Sequence, residues 1–213
     1  MAGDPSMTTV YHGPRRRGRP PRTTSSRVAA TALRLFRERG FEATTADEIA
    51  VACGISRSTF FRYFGSKAEI LWHCHAEQVA ALEQRLRSAP AAADPFAVVA
   101  NAVVDATRNV GAEEAAAARD HQALVRARPD LDPIGRPWSA RRIDAIREYV
   151  AAQLRLEPFA MPAVAFAYAV DAAVRAAGVR FAHSEGEELH ELVAATVAPI
   201  HAGFAASHLP VVD

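Results

Sequence analysis

Hydrophobic positions recur with helical spacing along most of this chain, and no stretch keeps the alternation of a strand. In the first predicted helix, over residues 23–39, one face carries Val28, Ala32, Leu35 and Phe36. About six more helices are predicted between residues 68 and 208. Half of the residues are hydrophobic, which is enough for a sizeable core. The pattern predicts an all-α protein with a short N-terminal unit and a larger helical bundle.

The stretch from Thr44 to Lys67 predicts two short helices joined by a tight turn. Thr45 and Glu48 have the spacing of a capping box, so the first of these helices should begin at residue 46. Gly54 suits a turn that needs a positive φ, and Ser56 can cap the second helix. This arrangement is typical of a helix-turn-helix.

The second of these helices has two chemically different faces. Its apolar positions are Phe60, Phe61 and Phe64, and its polar positions are Arg57, Ser58 and Arg62. A recognition helix needs a rigid apolar side and an outward face with donors near its N-terminus, because that end meets the base edges of DNA. The alternative is an ordinary packed three-helix unit that binds no nucleic acid.

The stretch Ala32–Ile70, ALRLFRERGFEATTADEIAVACGISRSTFFRYFGSKAEI, resembles the DNA-binding domain of the tetracycline-repressor (TetR) family. The resemblance implies DNA contacts from Thr45, Ser56, Arg57, Ser58, Thr59, Arg62, Tyr63 and Lys67. Phe61 departs from the family's usual tyrosine, so Thr45, Tyr63 and Lys67 are expected to hold more of the phosphate backbone. The resemblance also implies a homodimer that binds an operator and a C-terminal domain that binds a small molecule.

Residues 1–22 lack apolar periodicity and are expected to be disordered when free. Their basic run RRRGRPPR contains Arg15, Arg16, Arg17, Arg19 and Arg22. It resembles an AT-hook, whose arginines enter the narrow minor groove of A·T-rich DNA. The alternative is a solvated basic tail.

Charge is unevenly distributed along the chain. Residues 1–67 carry 12 Lys/Arg and 5 Asp/Glu, whereas residues 68–213 carry 13 and 19. Only the N-terminal part is therefore expected to meet a polyanion. Two cysteines and no evident signal peptide indicate a reducing cytoplasm. The apolar stretch 160–179 contains Asp171 and Arg175, a predicted i,i+4 pair that favours a soluble helix over a membrane span.

A ligand cavity is the second predicted site. The candidate lining consists of Phe96, Val99, Val103, Trp138, Ile146, Tyr149, Phe166 and Val170. The alternative for each of these residues is plain core. Two alanine series at helical spacing, Ala165, Ala169, Ala173 and Ala177, then Ala194, Ala198 and Ala202, predict close helix packing across a dimer seam. A tightly packed intramolecular helix pair is the alternative.

The run Trp72-His73-Cys74-His75 invites a metal site, but neighbouring residues on a helix point in different directions. Structural packing is therefore favoured, and no metal or cofactor is expected. No hydrolase elbow, phosphate-binding glycine loop or helical HExxH motif is present, so an enzyme is not expected. A ligand-responsive transcription repressor is favoured over an architectural protein that binds A·T-rich DNA.

A second resemblance concerns the effector. Residues 60–64 and the segment ALVRARPDL (123–131) resemble a TetR subgroup with acyl-CoA-like ligand-binding domains, which includes mycofactocin-system regulators. A coenzyme A head would need cations, and the candidates are Arg119, Arg126, Arg128, Arg141 and Arg142. These arginines would otherwise form a solvated face, and a drug-like or aromatic effector would not need them.

Overall fold

The structure is a computed structural model that describes residues 24–90, 94–108, 112–184 and 186–206, with residues 112–114 as backbone only. These residues form nine α-helices: α1 Ser25–Arg39, α2 Ala46–Ala52, α3 Arg57–Tyr63, α4 His73–Ser88, α5 Pro95–Ala106, α6 Ala112–Ala127, α7 Arg136–Gln153, α8 Met161–Ala182 and α9 Leu189–Ala206. Two 3-10 helices, Glu69–Trp72 and Pro129–Gly135, precede α4 and α7. Within the described ranges there is no strand, and the all-α prediction is confirmed.

Helices α1 to α3 form the N-terminal domain, and their ends follow the predicted local signals. Gly40 ends α1 with a φ of 88°. The capping box at the start of α2 is complete, because Thr45 accepts from the Glu48 amide and Glu48 accepts from the Thr45 amide. Gly54 has a φ of 65°, and the Ser56 hydroxyl accepts from the Thr59 amide at 3.1 Å. Side-chain caps of this kind replace hydrogen bonds that helix ends lack.

The capping-box spacing of Ser66 and Glu69 predicts one helix from there to about residue 88, and the structure differs from this prediction. The Ser66 hydroxyl does accept from the Glu69 amide at 3.2 Å, but a 3-10 helix follows before α4 begins. All of its apolar side chains, Ile70, Leu71 and Trp72, are buried in the core of the N-terminal domain. This core therefore continues beyond the boundary expected at residue 67.

Helices α5, α7, α8 and α9 enclose the second core. Its centre includes Val99, Ile146, Phe166, Val170 and Val193, each fully buried. Helix α8 lies between α7 and α9. Its small residues Ala173 and Ala177 are buried inside this core. For those two positions the close helix packing is therefore intramolecular.

The predicted pairing of Asp171 with Arg175 is wrong. Asp171 accepts from Arg142 Nε of α7 at 2.9 Å and from the Ser139 hydroxyl at 3.0 Å, and both charged side chains are buried. Arg175 is exposed instead. A carboxylate removed from water needs its cation at close range, and the packing of α7 on α8 places Arg142 there.

Helix α8 is long and apolar enough to cross a membrane by length and composition alone. It nevertheless packs between two helices and carries the buried Asp171. A core helix of a soluble protein passes the same test.

The last helix begins later than expected. The spacing of Ser184 and Glu187 predicts a capping box for this helix, but α9 begins at Leu189. The Ser184 hydroxyl donates to the Phe181 carbonyl at 3.2 Å, so it belongs to the end of α8. A hydroxyl can bond equally well to the helix before it, which is why spacing alone misplaced this start.

The two domains are joined by packing and by ion pairs. Arg37 of α1 lies 3.2 Å from Asp120 of α6, and Arg128 lies 2.7 Å from Glu42. The Trp72 ring packs so closely on Gly135 that a Cβ there would clash with the ring carbons. Helix α6 and the second 3-10 helix are therefore in direct contact with the N-terminal domain.

Candidate nucleic-acid interface and internal cavity

Helix α3 presents a polar face to solvent because its opposite side is anchored in the core. Phe60 is fully buried, and its ring lies 5.7 Å from that of the buried Phe64. The exposed positions are Ser56, Arg57, Ser58, Phe61 and Arg62, and Thr59 and Tyr63 are half-buried. The predicted DNA-contacting residues of α3 thus lie on one accessible surface, except for the two half-buried ones.

Arg57 is held across the helix-turn-helix by an exposed ion pair. Its Nη1 lies 2.5 Å from Asp47 of α2, and its guanidinium carbon lies 5.3 Å from the centre of the Phe61 ring. Exposed pairs of this kind contribute only about 0–1 kcal/mol. Exchanging Asp47 for a base edge or a phosphate therefore costs little. The pair keeps the arginine close to the N-terminal end of α3.

The hydroxyl groups at the start of α3 bond to one another. Ser56 donates to the Thr59 hydroxyl at 2.9 Å, and the Ser56 and Ser58 hydroxyls are also 2.9 Å apart. The Thr45 hydroxyl donates to Glu48 at 2.9 Å. These exposed groups can exchange internal partners for phosphate oxygens without being desolvated.

Lys67 is engaged inside the domain rather than presented to solvent. Its Nζ donates to the carbonyls of Phe41 at 2.6 Å and Thr44 at 3.1 Å, and it lies 4.3 Å from the centre of the Phe41 ring. The side chain is only 25% exposed. It ties the segment after α3 to the loop between α1 and α2. The phosphate contact expected of Lys67 stays a prediction, with a structural role beside it.

The five arginines of the predicted minor-groove arm, Arg15, Arg16, Arg17, Arg19 and Arg22, lie outside the residues that the structure describes.

A cavity of about 510 Å³ lies between α4, α6, α7 and α8. Such a volume is within the usual range for small-molecule sites. Its apolar lining includes Trp72, Ala118, Val125, Trp138, Val174 and Phe181. An open groove of about 940 Å³ runs along α7 and α8 and shares Arg136 and Arg175 with the cavity.

The predicted lining is corrected by this geometry. Of the eight residues, only Trp138 lines the cavity, and Val103 borders a separate void of about 10 Å³. The others, Phe96, Val99, Ile146, Tyr149, Phe166 and Val170, belong to the packed second core. The rings of Phe96 and Phe166, with centres 4.7 Å apart, fill the space where a void was expected. A helical apolar pattern is the same for core and cavity wall, so it could not separate them.

One end of the cavity, formed by Trp72, His75 and His121, is here called the cavity floor. The centres of the three rings lie 4.7 Å (Trp72–His121), 5.0 Å (His75–His121) and 5.1 Å (Trp72–His75) apart. His121 is 2% exposed. Trp72 Nε1 and His121 Nε2 are buried and have no hydrogen-bond partner among the described residues.

Burial keeps both floor histidines neutral. It lowers the pKa of His121 to about 4, and it lowers the pKa of His75 well below the usual value, with smaller contributions from His121 and Arg142. In the sequence the run Trp72–His75 stands out as a possible metal site, for which packing is the favoured explanation. Nothing local could have found His121, because it lies on a different helix.

Three exposed arginines at the mouth of the cavity, Arg126, Arg136 and Arg175, are here called the arginine rim. The described residues offer them no hydrogen bond or ion pair. Arg126 was one of the five arginines expected near a coenzyme A head. The other four are engaged: Arg119 with the Ser184 carbonyl, Arg128 with Glu42 and Asp130, Arg141 with Glu83, and Arg142 with Asp171.

The described residues contain no group of three or more His, Cys, Asp or Glu side chains placed to hold a metal ion. Burial and the nearby Glu77 carboxylate raise the pKa of the Cys74 thiol to about 11, so it is not a reactive thiolate.

A capped helix-turn-helix with an exposed recognition helix defines a DNA-binding class of domain. Residues 28–74 match the family model described as bacterial regulatory proteins, tetR family. This stretch therefore matches the DNA-binding domain of the tetR family.

Curated relatives match the same region. The HTH-type transcriptional regulator TcmR of Streptomyces glaucescens is 41% identical over 66 residues, which cover 31% of this chain and 29% of TcmR. MftR of Mycobacterium tuberculosis, whose name associates it with the regulation of mycofactocin biosynthesis, is 39% identical over 66 residues, 31% of this chain and 33% of MftR. This chain thus spans a third or less of the relatives that it matches.

Solved structures match over most of the chain. Thermus thermophilus FadR, a TetR-family repressor in complex with lauroyl-CoA, has a TM-score of 0.56 at 24% identity and covers 88% of this chain and 98% of its own. The TetR-family regulator PfmR, also of Thermus thermophilus, has a TM-score of 0.52 at 20% identity, covering 82% and 96%. At these identities the likeness establishes the fold alone, over the 82–88% of this chain that the two alignments cover.

Proposed function

We propose that this chain is a cytoplasmic transcriptional repressor that leaves its operator when an apolar or acyl-CoA-like effector enters the cavity. One residue, Trp72, carries the proposal. Its ring belongs to the core of the N-terminal domain and also lines the cavity. A molecule in the cavity would therefore touch the domain that holds the recognition helix.

Arg57 is the proposed base-reading residue. A bidentate arginine–guanine contact is worth about 1–3 kcal/mol of discrimination. Arg57→Ala should relax specificity at one position of each operator half-site, measured by fluorescence anisotropy with single-base operator variants. Arg34→Ala is the charge-matched control, because Arg34 is an exposed arginine of α1 that pairs with Glu38 of the same helix. Unchanged operator preference in Arg57→Ala would reject this placement of α3.

The operator itself separates the repressor from an architectural protein. A repressor should prefer a palindromic duplex from its own upstream region over a random A·T-rich duplex, and the cavity gives it a means of release. Equal affinity for both duplexes would favour the architectural alternative. Deletion of residues 1–21 should lower affinity most for operators with A·T-rich flanks, whereas equal losses on G·C-rich flanks would leave only a charge effect.

A homodimer through α8 and α9 is part of the proposal. Ala198 and Ala202 of α9 are exposed, as are Ala172 and Ala176 of α8, so small side chains remain available for a second subunit. Val197 is buried inside its own subunit and cannot test the interface. Ala202→Glu should give monomers by analytical ultracentrifugation, whereas Ala80→Glu on the exposed side of α4 should not. An unchanged dimer would move the interface elsewhere.

The acyl-CoA form of the effector depends on the arginine rim. Arg136→Ala with Arg175→Ala should weaken operator release by acyl-CoAs, and release should strengthen with chain length by up to about 0.8 kcal/mol per buried CH₂. Arg141→Ala is the control, because Arg141 already pairs with Glu83. Release by a neutral aromatic compound and by no acyl-CoA would reject the acyl-CoA form and retain the repressor.

A further inference from the structure

The cavity floor contains two buried ring nitrogens without a partner in the described chain. An indole N–H can only donate, so Trp72 Nε1 needs an acceptor. Leaving a buried donor unsatisfied costs free energy that a bound acceptor would recover. Both nitrogens belong to side chains that line the same cavity, and His121 is almost completely buried. An acceptor held in the cavity against these rings would meet this requirement.

His75 completes the group on the side of α4. Its Nδ1 lies 3.4 Å from the Cys74 thiol, which leaves the other edge of the ring for a different partner. The ring centres of His75 and His121 are 5.0 Å apart, so one small polar group can reach both. Three nitrogen-bearing rings from two helices and a 3-10 helix thus meet at one end of the cavity.

We propose that the cavity floor is a subsite for the carboxylate of an apolar organic acid, which is bound by Trp72 and the two histidines with uptake of a proton. The proposal rests on the proposed function, because it specifies the effector of the same cavity. A carboxylate offers about four acceptor positions, enough for the indole and both imidazoles.

The charges around the floor favour an anion. The helices that carry the floor histidines contribute two further titratable groups to the cavity lining. These are Cys74 of α4, whose thiol is neutral, and Arg126 of α6. Helix α7 presents Arg136 and Arg142, α8 presents Arg175, and the second 3-10 helix presents Asp132. Arg142 is already neutralised by Asp171. Asp132 is thus the single carboxylate lining the described cavity, against three unpaired arginines at the rim.

The two histidines supply the proton linkage. In the empty cavity burial keeps both neutral, because nothing compensates a positive charge there. A bound carboxylate would raise the pKa of the nearer imidazole, so a proton is taken up from solvent at neutral pH and released when the acid leaves. A neutral amide or a thioester supplies an acceptor but no such compensation. This difference in proton uptake separates an anion from a neutral acceptor or a trapped water.

Isothermal titration calorimetry of the full chain tests this directly. The probes are decanoate and 2-naphthoate, with decanamide, 2-naphthamide and decanoyl-CoA as partners that lack the carboxylate. Titrations in phosphate and in Tris at pH 6.5 report proton uptake, because the two buffers differ in ionisation enthalpy. We expect at least tenfold tighter binding of an acid than of its amide, with uptake of about one proton. Affinity should then fall by about tenfold per pH unit between the pKa of the imidazole in the empty cavity and its pKa in the complex, and become constant above the latter.

The variant His121→Phe keeps a ring against Trp72 and removes the nitrogen. It should lower both the proton uptake and the acid-to-amide affinity ratio, because it leaves His75 as the one imidazole of the cavity floor. His190→Phe on α9 is the matched control, because His190 does not line the cavity, and it should retain both properties. If His121→Phe does not fold, the comparison of acid with amide in the unmodified chain still decides the question.

Three results would overturn the subsite: no binding of either acid, equal affinity for acid and amide, or tighter binding of decanoyl-CoA without proton uptake. Operator release is measured separately. Acids that bind with proton uptake but leave the operator complex intact would support the subsite and reject the proposed release. Operator release by another compound, without binding of either acid, would reject the subsite and support the proposed release.

Discussion

On the recognition helix the polar side chains are exposed and bond to one another, whereas at the cavity floor they are buried and two ring nitrogens have no partner. Arg57 rests on Asp47, and Ser56 bonds to Ser58 and Thr59. Those bonds are inexpensive to exchange because water competes for them already. The buried nitrogens of the cavity floor cannot bond to water in this way. Each keeps its full desolvation cost unless a partner binds to it.

This contrast suggests two ways of preparing a binding surface. In the proposed function, the recognition helix searches along DNA, because it would bind phosphates and bases by exchanging weak exposed bonds. The cavity floor is selective, because only a ligand with the right acceptor removes the cost of the unpaired nitrogens. Substitutions at buried and exposed members of similar pairs should therefore differ sharply in effect, and four such comparisons follow.

The largest difference is expected between two neighbouring phenylalanines of α3. Phe60 is 0% exposed and Phe61 is 41% exposed. Phe60→Ala should lower the free energy of unfolding by about 3–5 kcal/mol, because it leaves a cavity in the N-terminal core. Phe61→Ala should cost about 1 kcal/mol or less. Urea denaturation of both variants measures this, and equal losses would mean that α3 is not anchored as described.

The second comparison sets a buried ion pair against an exposed one. Asp171→Asn leaves Arg142 buried without its counter-charge and should cost about 3–5 kcal/mol of stability. Glu83→Gln removes the partner of Arg141 and Arg87, whose side chains are 50% and 65% exposed while that of Glu83 is 15% exposed, and should cost about 0–1 kcal/mol. Denaturation at low and high salt distinguishes them, since only the exposed pair is screened. A small loss in Asp171→Asn would show that water reaches Arg142.

The third comparison concerns pH. Burial lowers the pKa of His121 to about 4 from 6.5. Between pH 6.5 and 4 the unfolded chain therefore binds a proton at His121 and the folded chain does not. The free energy of unfolding is greatest above pH 6.5 and falls as pH is lowered to 4. The loss is about 3 kcal/mol for this one group. Thermal denaturation from pH 7 to 4 should show a shallower decline in His121→Phe than in His183→Phe, since His183 is exposed.

The smallest difference is expected between Lys67, a cation with structural contacts, and Arg62, a cation proposed to bind DNA. Lys67→Met removes charged hydrogen bonds to the Phe41 and Thr44 carbonyls and should cost about 1.5–3 kcal/mol of stability, with the salt slope of operator binding unchanged. Arg62 is exposed, so Arg62→Met should leave stability intact. It should lower the salt slope of operator binding by about 0.9. A lower slope in Lys67→Met would restore its expected phosphate contact.

Signals that act over a few residues were sufficient for the N-terminal domain. The capping box at Thr45, the turn at Gly54, the cap at Ser56 and the buried Phe60 are all as the sequence predicts. Each depends on partners within about one helical turn, so the chain order itself brings them together. The same reasoning predicted an all-α bundle of about the right number of helices.

Contacts between distant residues were decided by the tertiary structure. Asp171 pairs with Arg142 because α7 packs on α8, not with the cation one turn away. Lys67 reaches back to Phe41, and His121 joins Trp72 from another helix. The expected cavity lining became core for the same reason. An apolar face records only that a residue leaves water, whereas the arrangement of the helices decides whether it meets another side chain or an empty space.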